Sequence, residues 1–211
     1  HNSGRRQRQM CIRDRTTWYK NGNKKFLASY SDGKLNGKYI RWYEGGIIKE
    51  LDGEYLNNKK HKKWIYWNKN GQKTEEINYN NGVHHGSHIK WFGEKSDQHK
   101  KFHINYKDGN KDGNWHHWYS SGVDSLKATY LNGEKDGHWI WWRKNGLKDK
   151  EGFYKKEKKH GLWTIWNDST GSAYHKLHEE TYVNDAIDGK VTKWYKAVSY
   201  THLRAHETAC Y

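Results

Sequence analysis

Apolar and polar side chains alternate along most of this chain, in short segments separated by Asn-Gly, Asp-Gly or Gly-Gly pairs. A period of two residues is typical of β-strands, and these dipeptides supply the positive φ angles that tight hairpin turns require. The alternation runs from Lys38 to Tyr43 and, after a turn at residues 44–46, from Ile47 to Tyr55. The pattern therefore predicts β-hairpins rather than helices.

The hairpins recur in a fixed frame, in which a Tyr is followed twelve residues later by a Trp. Successive repeat tyrosines are 24 to 28 residues apart, and we number positions within a unit from its Tyr, taken as position 0. The repeat tyrosines are Tyr30, Tyr55, Tyr79, Tyr106, Tyr130, Tyr154 and Tyr182. Such a period is typical of repeat proteins, whose units bury a core by stacking on their neighbours. We expect an all-β fold, an elongated single-layer antiparallel meander of about seven hairpins, on the order of 70 Å long.

Positions 7 and 12 hold the residues predicted to form the structural core of the repeat. Position 7 is Gly in six units (Gly37, Gly86, Gly113, Gly137, Gly161 and Gly189) and Lys62 in the other. Position 12 is always Trp: Trp42, Trp67, Trp91, Trp118, Trp142, Trp166 and Trp194. Positions 10 and 12 share one face, and Ile is common at position 10, so we expect this Ile–Trp face to be buried. The opposite face is the candidate binding face, with Tyr39, Trp64, Trp115, Trp139 and Trp163 at position 9.

The two ends of the chain, residues 1–15 and 197–211, break the frame. Both resemble translated sequencing-adapter sequence, with MCIRDR at the front and VSYTHLRAHETAC at the back, and both cysteines and the single methionine lie there. We expect these flanks to be non-native or disordered, with genuine basic and polar tails as the alternative. Residues 16–196 are expected to be tandem repeats from the interior of a longer protein, which leaves the compartment open.

Composition refines this picture in two ways. Only 33% of the residues are hydrophobic and 30% are charged, which by itself favours disorder, but 13 Trp and 16 Tyr can supply the burial that aliphatic residues do not. The net charge is +15, of which five Arg and one Asp in the amino-terminal flank carry +4, so the repeats themselves remain basic.

Candidate catalytic and ligand-binding patterns are weak. The segment from Gly33 to Lys38 has too few residues between its glycines for a phosphate loop and lacks the Ser or Thr that should follow the Lys. The pairs Glu75-Glu76 and Glu179-Glu180 point to opposite faces of a strand. A metal could be held by the histidines of two segments, His84, His85 and His88 or His116 and His117. Against this, His85 is at position 6, where other units have Asn, Asp or His, and such a position is typical of a turn. We expect no catalytic residue, metal, cofactor or small-molecule substrate.

The repeat itself resembles a known family. The spacing Y-x-N-G-x-x-x-G-x-W-x-x-W-Y-x-N-G, as in residues 106–122 and 130–146, resembles the MORN-repeat variant family, and the likeness covers about residues 16–196. The resemblance implies a single-layer sheet of hairpins and a role in protein interaction, or in bacterial immunity to a cognate toxin. Departures at Asn58, Lys62, Glu157 and Asp185, and the missing Gly after Trp91, put the local turn shape in doubt.

Two classes of function follow from these observations. The first is a non-catalytic module for protein–protein interaction, such as an antitoxin that neutralises a toxin. The alternative is a basic, aromatic module for an anionic membrane lipid or a cell-wall polymer, with nucleic acid as the least favoured ligand. Lysine clusters at residues 59–63 and 155–159 support the alternative, although lysines also keep the open edges of a sheet soluble.

Overall fold

The computed structural model describes residues 13–93 and 99–195, and these residues form one open antiparallel sheet of 17 strands. Apart from two divided strands, strands adjacent in the sequence pair with one another, which confirms the predicted all-β meander of hairpins. The only helical segment in the described part is a single 3-10 turn at Gly171–Ala173. The strands are β1 (Arg13–Trp18), β2 (Lys24–Ser31), β3 (Lys34–Trp42), β4 (Lys49–Leu56), β5 (Lys59–Trp67), β6 (Lys73–Asn80), β7 (Val83–Trp91), β8 (Lys100–Lys107), β9 (Asn110–Trp118), β10 (Asp124–Leu131), β11 (Glu134–Lys135), β12 (Gly137–Trp142), β13 (Lys148–Lys155), β14 (Lys158–Trp166), β15 (Lys176–Val183), β16 (Ala186–Ile187) and β17 (Thr192–Lys193).

Two strands of the sheet are each divided into two shorter strands. Both β11 and β12 pair with β10, on either side of Asp136, and both β16 and β17 pair with β15. Each unit is therefore one hairpin, even where a strand is divided.

The first strand begins earlier than the sequence frame predicts. Arg13, Asp14 and Arg15 pair with residues of β2, and the Ser29 hydroxyl donates a hydrogen bond of 2.6 Å to Asp14 Oδ1. These three residues were assigned to the amino-terminal flank. The remainder of both flanks, residues 1–12 and 197–211, lies outside the described residues, as does Lys196, and the non-native origin of the flanks stays a prediction.

The hairpin turns have the same backbone conformation in all seven units. Positions 2 and 3 both have positive φ, as type I′ turns require, including Asn57 and Asn58 (49° and 65°) and Lys156 and Glu157 (49° and 66°). The departures from Asn-Gly therefore do not change the turn shape. The residues that replace Gly adopt a backbone conformation that L-residues disfavour.

Position 7 also has positive φ in every unit, from 57° at Lys62 to 108° at Gly37. Glycine enters this region without a steric penalty, which explains its presence in six of the seven units. Lys62 adopts the same conformation without that freedom.

The tryptophans that are fully buried lie at position 9, and the predicted assignment of the two faces is wrong in this respect. Trp64, Trp139 and Trp163 are only 1%, 3% and 4% exposed. Tyr39 and Trp115, the other members of the predicted binding face, are half-buried. The tryptophans predicted to form the core are also only half-buried: Trp42, Trp67, Trp91, Trp118, Trp142, Trp166 and Trp194.

The physical reason is a small residue beneath each buried ring. A Cβ added to Gly53 would lie 2.3 Å from the Trp64 ring, and one added to Gly152 would lie 2.2 Å from the Trp163 ring. Ala128 is the corresponding residue near Trp139, with which it forms the buried core cluster. The ring can therefore lie close to the backbone, and its surface is removed from water.

The close approach of these rings to the backbone also gives their indole N–H groups hydrogen-bond acceptors. The Nε1–H groups of Trp64, Trp139 and Trp163 each donate a hydrogen bond of 3.0 Å to a backbone carbonyl of the preceding strand. Trp115 pairs instead with the larger Ile104, and its buried Nε1 has no hydrogen-bond partner among the described residues. Among the tryptophans at position 9, burial thus follows the size of the neighbour in the preceding strand, whereas Tyr39 is only half-buried beside Ala28.

Neighbouring units are also linked along one row of turns. The hydroxyls of Tyr19 and Tyr43, at position 13, donate to the carbonyl oxygens of Trp42 and Trp67 in the next unit, over 2.7 and 2.8 Å. Tyr119 makes the same bond to Trp142 at 2.8 Å. These bonds hold consecutive hairpins in a constant register.

Candidate binding surface

The face that carries position 9 is a nearly continuous ladder of rings. The Tyr55 ring lies 4.9 Å from that of Trp64, and the Tyr154 ring lies 5.3 Å from that of Trp139 and 5.1 Å from that of Trp163. Most of these contacts are edge-to-face, the arrangement that the quadrupoles of aromatic rings favour. We call this surface the aromatic face.

Four equivalent lysines cover the ladder, and we call them the lysine row: Lys60, Lys111, Lys135 and Lys159, each at position 5. Each ammonium lies over two rings, one at position 9 of its own unit and the Tyr of the next. The Nζ atom of Lys111 is 4.4 Å from the Trp115 centroid and 4.7 Å from that of Tyr130. That of Lys159 is 4.7 Å from Trp163 and 4.6 Å from Tyr182.

The other two members of the lysine row have the same geometry. Lys60 Nζ lies 4.5 Å from the Trp64 centroid and 5.2 Å from that of Tyr79. Lys135 Nζ lies 5.7 Å from Trp139 and 5.1 Å from Tyr154. Cation–π attraction holds an ammonium in such a position, but the ring carries no net charge and does not neutralise it.

Carboxylates are scarce near the lysine row. Lys135 pairs with Glu157 at 3.2 Å, whereas Lys60, Lys111 and Lys159 form no ion pair with any carboxylate of the described residues. Lys60 instead donates to the Tyr66 hydroxyl at 2.8 Å. This part of the aromatic face therefore presents positive charge without compensating negative charge.

Inter-repeat hydrogen bonds fix the backbone of each lysine in the row. The N–H of position 3 in the following unit donates to the lysine carbonyl: Gly82 to Lys60 at 2.7 Å, and Gly133 to Lys111 at 2.8 Å. The corresponding bonds to Lys135 and Lys159 are 2.9 and 3.0 Å long. Because equivalent positions are two strands apart, the anchored backbones repeat about every 9.6 Å.

The third unit interrupts the lysine row with histidines. His84 occupies position 5, between the rings of Tyr79 and Tyr106 at 4.9 and 5.1 Å, and His88 occupies position 9. Burial lowers the pKa of His84. Glu75 is within 2.8 Å of His88 Nε2, and this hydrogen bond lowers the pKa of the Glu75 carboxyl.

The Ile–Trp face has a different charge pattern. Its lysines pair with acidic residues three positions along the same strand, as in Lys49 with Asp52 at 2.6 Å and Lys148 with Glu151 at 3.0 Å. Lys148 also lies 5.3 Å from the Trp166 centroid. Since these cations have carboxylate partners on the same strand, this face carries less uncompensated charge than the lysine row.

The histidines considered as metal ligands and the segment considered as a phosphate loop have structural roles in the sheet. Nowhere in residues 13–93 and 99–195 do three or more His, Cys, Asp or Glu side chains come together so as to hold a metal ion. His116 bonds to Asp124 at 2.6 Å and His117 to Ser125 at 2.7 Å, and burial lowers the pKa of both histidines. The candidate phosphate loop is a hairpin turn, with positive φ at Asp32 and Gly33.

Sequence reasoning located the aromatic residues of this surface but missed the lysine row. The available signal was the recurrence of Lys at position 5 in four of the seven units. This recurrence indicates a binding surface only because the lysines lie over aromatic rings, and those contacts are visible only in the structure.

Comparison with known proteins adds no assignment: the sequence matches no family model, and no curated protein matches it. Among the residues that the structure describes, no helix has the length and apolar character needed to span a membrane.

Proposed function

We propose that these repeats form a non-catalytic module that binds a protein partner by surface contact, such as a toxin that the module neutralises. The observation that carries the proposal is the exposed architecture itself: one sheet, with no helical layer over either face in residues 13–93 and 99–195. The likeness of the repeats to the MORN-repeat variant family supports a partner of this class. The uncompensated cations of the lysine row favour an acidic surface on that partner.

Co-expression tests this proposal directly. The full chain, carrying an affinity tag, is produced with the protein encoded beside it in its source genome, and the two are purified together. We expect a stable complex, and protection of the host cells if the neighbour is toxic. Absence of both complex and protection would contradict the proposal.

A matched pair of variants can locate the interface. Lys111→Glu with Lys159→Glu reverses the charge on the aromatic face, whereas Lys107→Glu with Lys155→Glu makes the same net change at exposed positions outside the row. We expect only the first pair to weaken the complex. Equal weakening by both pairs would place the interface elsewhere.

A second candidate is attachment to an anionic polymer or surface, and the lysine row specifically favours it. Three unpaired ammoniums in equivalent positions attract negative charge whatever molecule carries it. Binding of this kind weakens as salt rises, because ions screen exposed charges over about 8 Å at physiological strength.

A further inference from the structure

We propose that the lysine row binds a linear acidic polysaccharide with one carboxylate per disaccharide. This inference rests on the second candidate function, attachment to an anionic polymer, and specifies the ligand. Three features of the aromatic face carry it: the spacing of the lysines, their lack of carboxylate partners, and the burial of the rings beneath them.

The spacing matches a disaccharide repeat. Lys111, Lys135 and Lys159 belong to consecutive units, so their backbones are about 9.6 Å apart. This distance is close to the length of one disaccharide in an extended β-linked glycan. The inter-repeat hydrogen bonds to the three lysine carbonyls, of 2.8 to 3.0 Å, maintain the spacing before any ligand arrives. A pre-ordered row loses less entropy on binding.

The charge state of the lysine row favours carboxylates as ligands. Lys111 and Lys159 are half-buried and have no ion pair with the described residues, so each ammonium has lost part of its hydration without gaining a counter-charge. A carboxylate from outside can accept a charge-assisted hydrogen bond from each one. Lys135 already pairs with Glu157 at 3.2 Å, but this exposed pair is weak enough to exchange partners.

A hydroxyl group near the row offers an additional contact for a sugar. The half-buried Tyr154 forms no hydrogen bond through its hydroxyl with another described residue, although its ring contacts Lys135 of the row. This phenol can both donate to and accept from sugar hydroxyls. A hydroxyl-rich polymer therefore fits the face better than a polymer that offers phosphates alone.

The burial of the rings argues against single-stranded nucleic acid. Such binding depends on bases that stack on accessible aromatic faces. Trp139 and Trp163 are 3% and 4% exposed, and lysines cover what remains, so bases have little ring surface to stack on. Phosphates along a single strand are also closer together than the lysines. Lipid headgroups in a fluid bilayer have no fixed spacing for the row to match.

The test compares polymers that differ in charge spacing. The full chain is titrated with a polymer of alternating glucuronate and N-acetylglucosamine, with polygalacturonate, which has a carboxylate on every sugar, and with an oligo(dT) strand. A fourth arm uses vesicles of phosphatidylglycerol and phosphatidylcholine. We expect saturable binding that is tightest for the alternating polymer and weakens with added salt.

Two triple variants make the test specific. Lys111→Gln, Lys135→Gln and Lys159→Gln together should weaken binding to the alternating polymer by about tenfold or more, because three charge-assisted contacts are lost. Lys107→Gln, Lys155→Gln and Lys158→Gln make the same net charge change at exposed positions and should change the affinity by less than about threefold. A third variant, with Lys111→Arg, Lys135→Arg and Lys159→Arg, should retain binding. Urea unfolding of all three variants shows whether each one is folded.

The outcomes separate this inference from the functions on which it rests. Tighter binding to oligo(dT) or to vesicles would overturn the polysaccharide assignment and leave an anionic ligand in place. Equal losses in the two Gln variants would overturn the lysine row as the site. Failure to bind any of the four probes would overturn both, whereas the protein-partner proposal is decided separately by co-purification.

Discussion

The ring of Trp163 lies directly on the backbone of Gly152, so that an added Cβ would be 2.2 Å from the ring. Gly53 has the same relationship to Trp64, at 2.3 Å. These two contacts show why Trp64 and Trp163 are among the most buried large side chains, and they make the packing of the sheet testable.

Gly152→Ala should destabilise the protein by about 1–3 kcal/mol, because the new methyl group forces Trp163 away from the strand beneath it. The hydrogen bond from Trp163 Nε1 to the Phe153 carbonyl should lengthen with the same movement. Urea unfolding followed by tryptophan fluorescence measures the loss. Gly45→Ala is the control, since a Cβ there has no neighbour within 4 Å. Equal effects at both sites would contradict the packing.

The two tryptophan positions should differ in their contribution to stability. Trp139→Ala removes a buried ring and its hydrogen bond to the Thr129 carbonyl, and should cost about 3–5 kcal/mol. Trp142→Ala removes a half-buried ring and should cost no more than about half as much. Chemical denaturation of both variants decides the order. A larger loss for Trp142→Ala would restore the Ile–Trp face as the main core.

Lys62→Gly should stabilise the protein by about 1 kcal/mol, because φ at this position is 57° and glycine adopts that value without strain. The exposed Lys62–Glu54 ion pair, at 2.8 Å, is lost but contributes little. The reverse change, Gly86→Lys, places a side chain at φ 88° and should be destabilising by a similar amount. Thermal unfolding of the two variants should therefore shift in opposite directions.

Stability should fall as the pH drops from about 7 to about 5. Burial lowers the pKa of His84, His103, His116 and His117 below the ordinary value of 6.5, so the folded state favours their neutral forms. Their contribution is complete above the unfolded pKa and is lost as the pH falls through the lower folded pKa. Unfolding midpoints measured across this range should show the decline.

Variants of these histidines give the corresponding control. His103→Gln with His117→Gln should reduce the slope of stability against pH, because two of the protonating groups are gone. These histidines lie in the third and fourth units, so hydrogen exchange at acidic pH should increase there before it increases in residues 130–166. Uniform exchange along the sheet would contradict a local origin.

The sequence predicted the fold well because each unit repeats the same local information. Alternating residues identified the strands, and the positive-φ turns follow from pairs such as Asn132-Gly133. Because the same spacing occurs seven times, a meander of similar hairpins was the fold that agreed with every unit.

The assignment of faces failed for a physical reason. Alternation separates two faces but does not say which one is buried, and in a single-layer sheet both faces meet solvent. For the tryptophans at position 9, the degree of burial follows whether the neighbour in the preceding strand is small, as at Gly53 and Ala128, or large, as at Ile104. Those residues lie two positions before the repeat Tyr, and their role becomes visible only once the strand register is known.

Every ammonium of the lysine row touches one ring of its own hairpin and the first ring of the hairpin that follows. A lysine in a final hairpin would therefore lack the second of its two rings. A row of n lysines that each contact two rings needs n + 1 consecutive hairpins. Duplication of one hairpin adds a whole step to the array, and deletion of one removes a step without altering the rest. The reach of this surface is thus set by the number of consecutive hairpins that carry Lys at position 5.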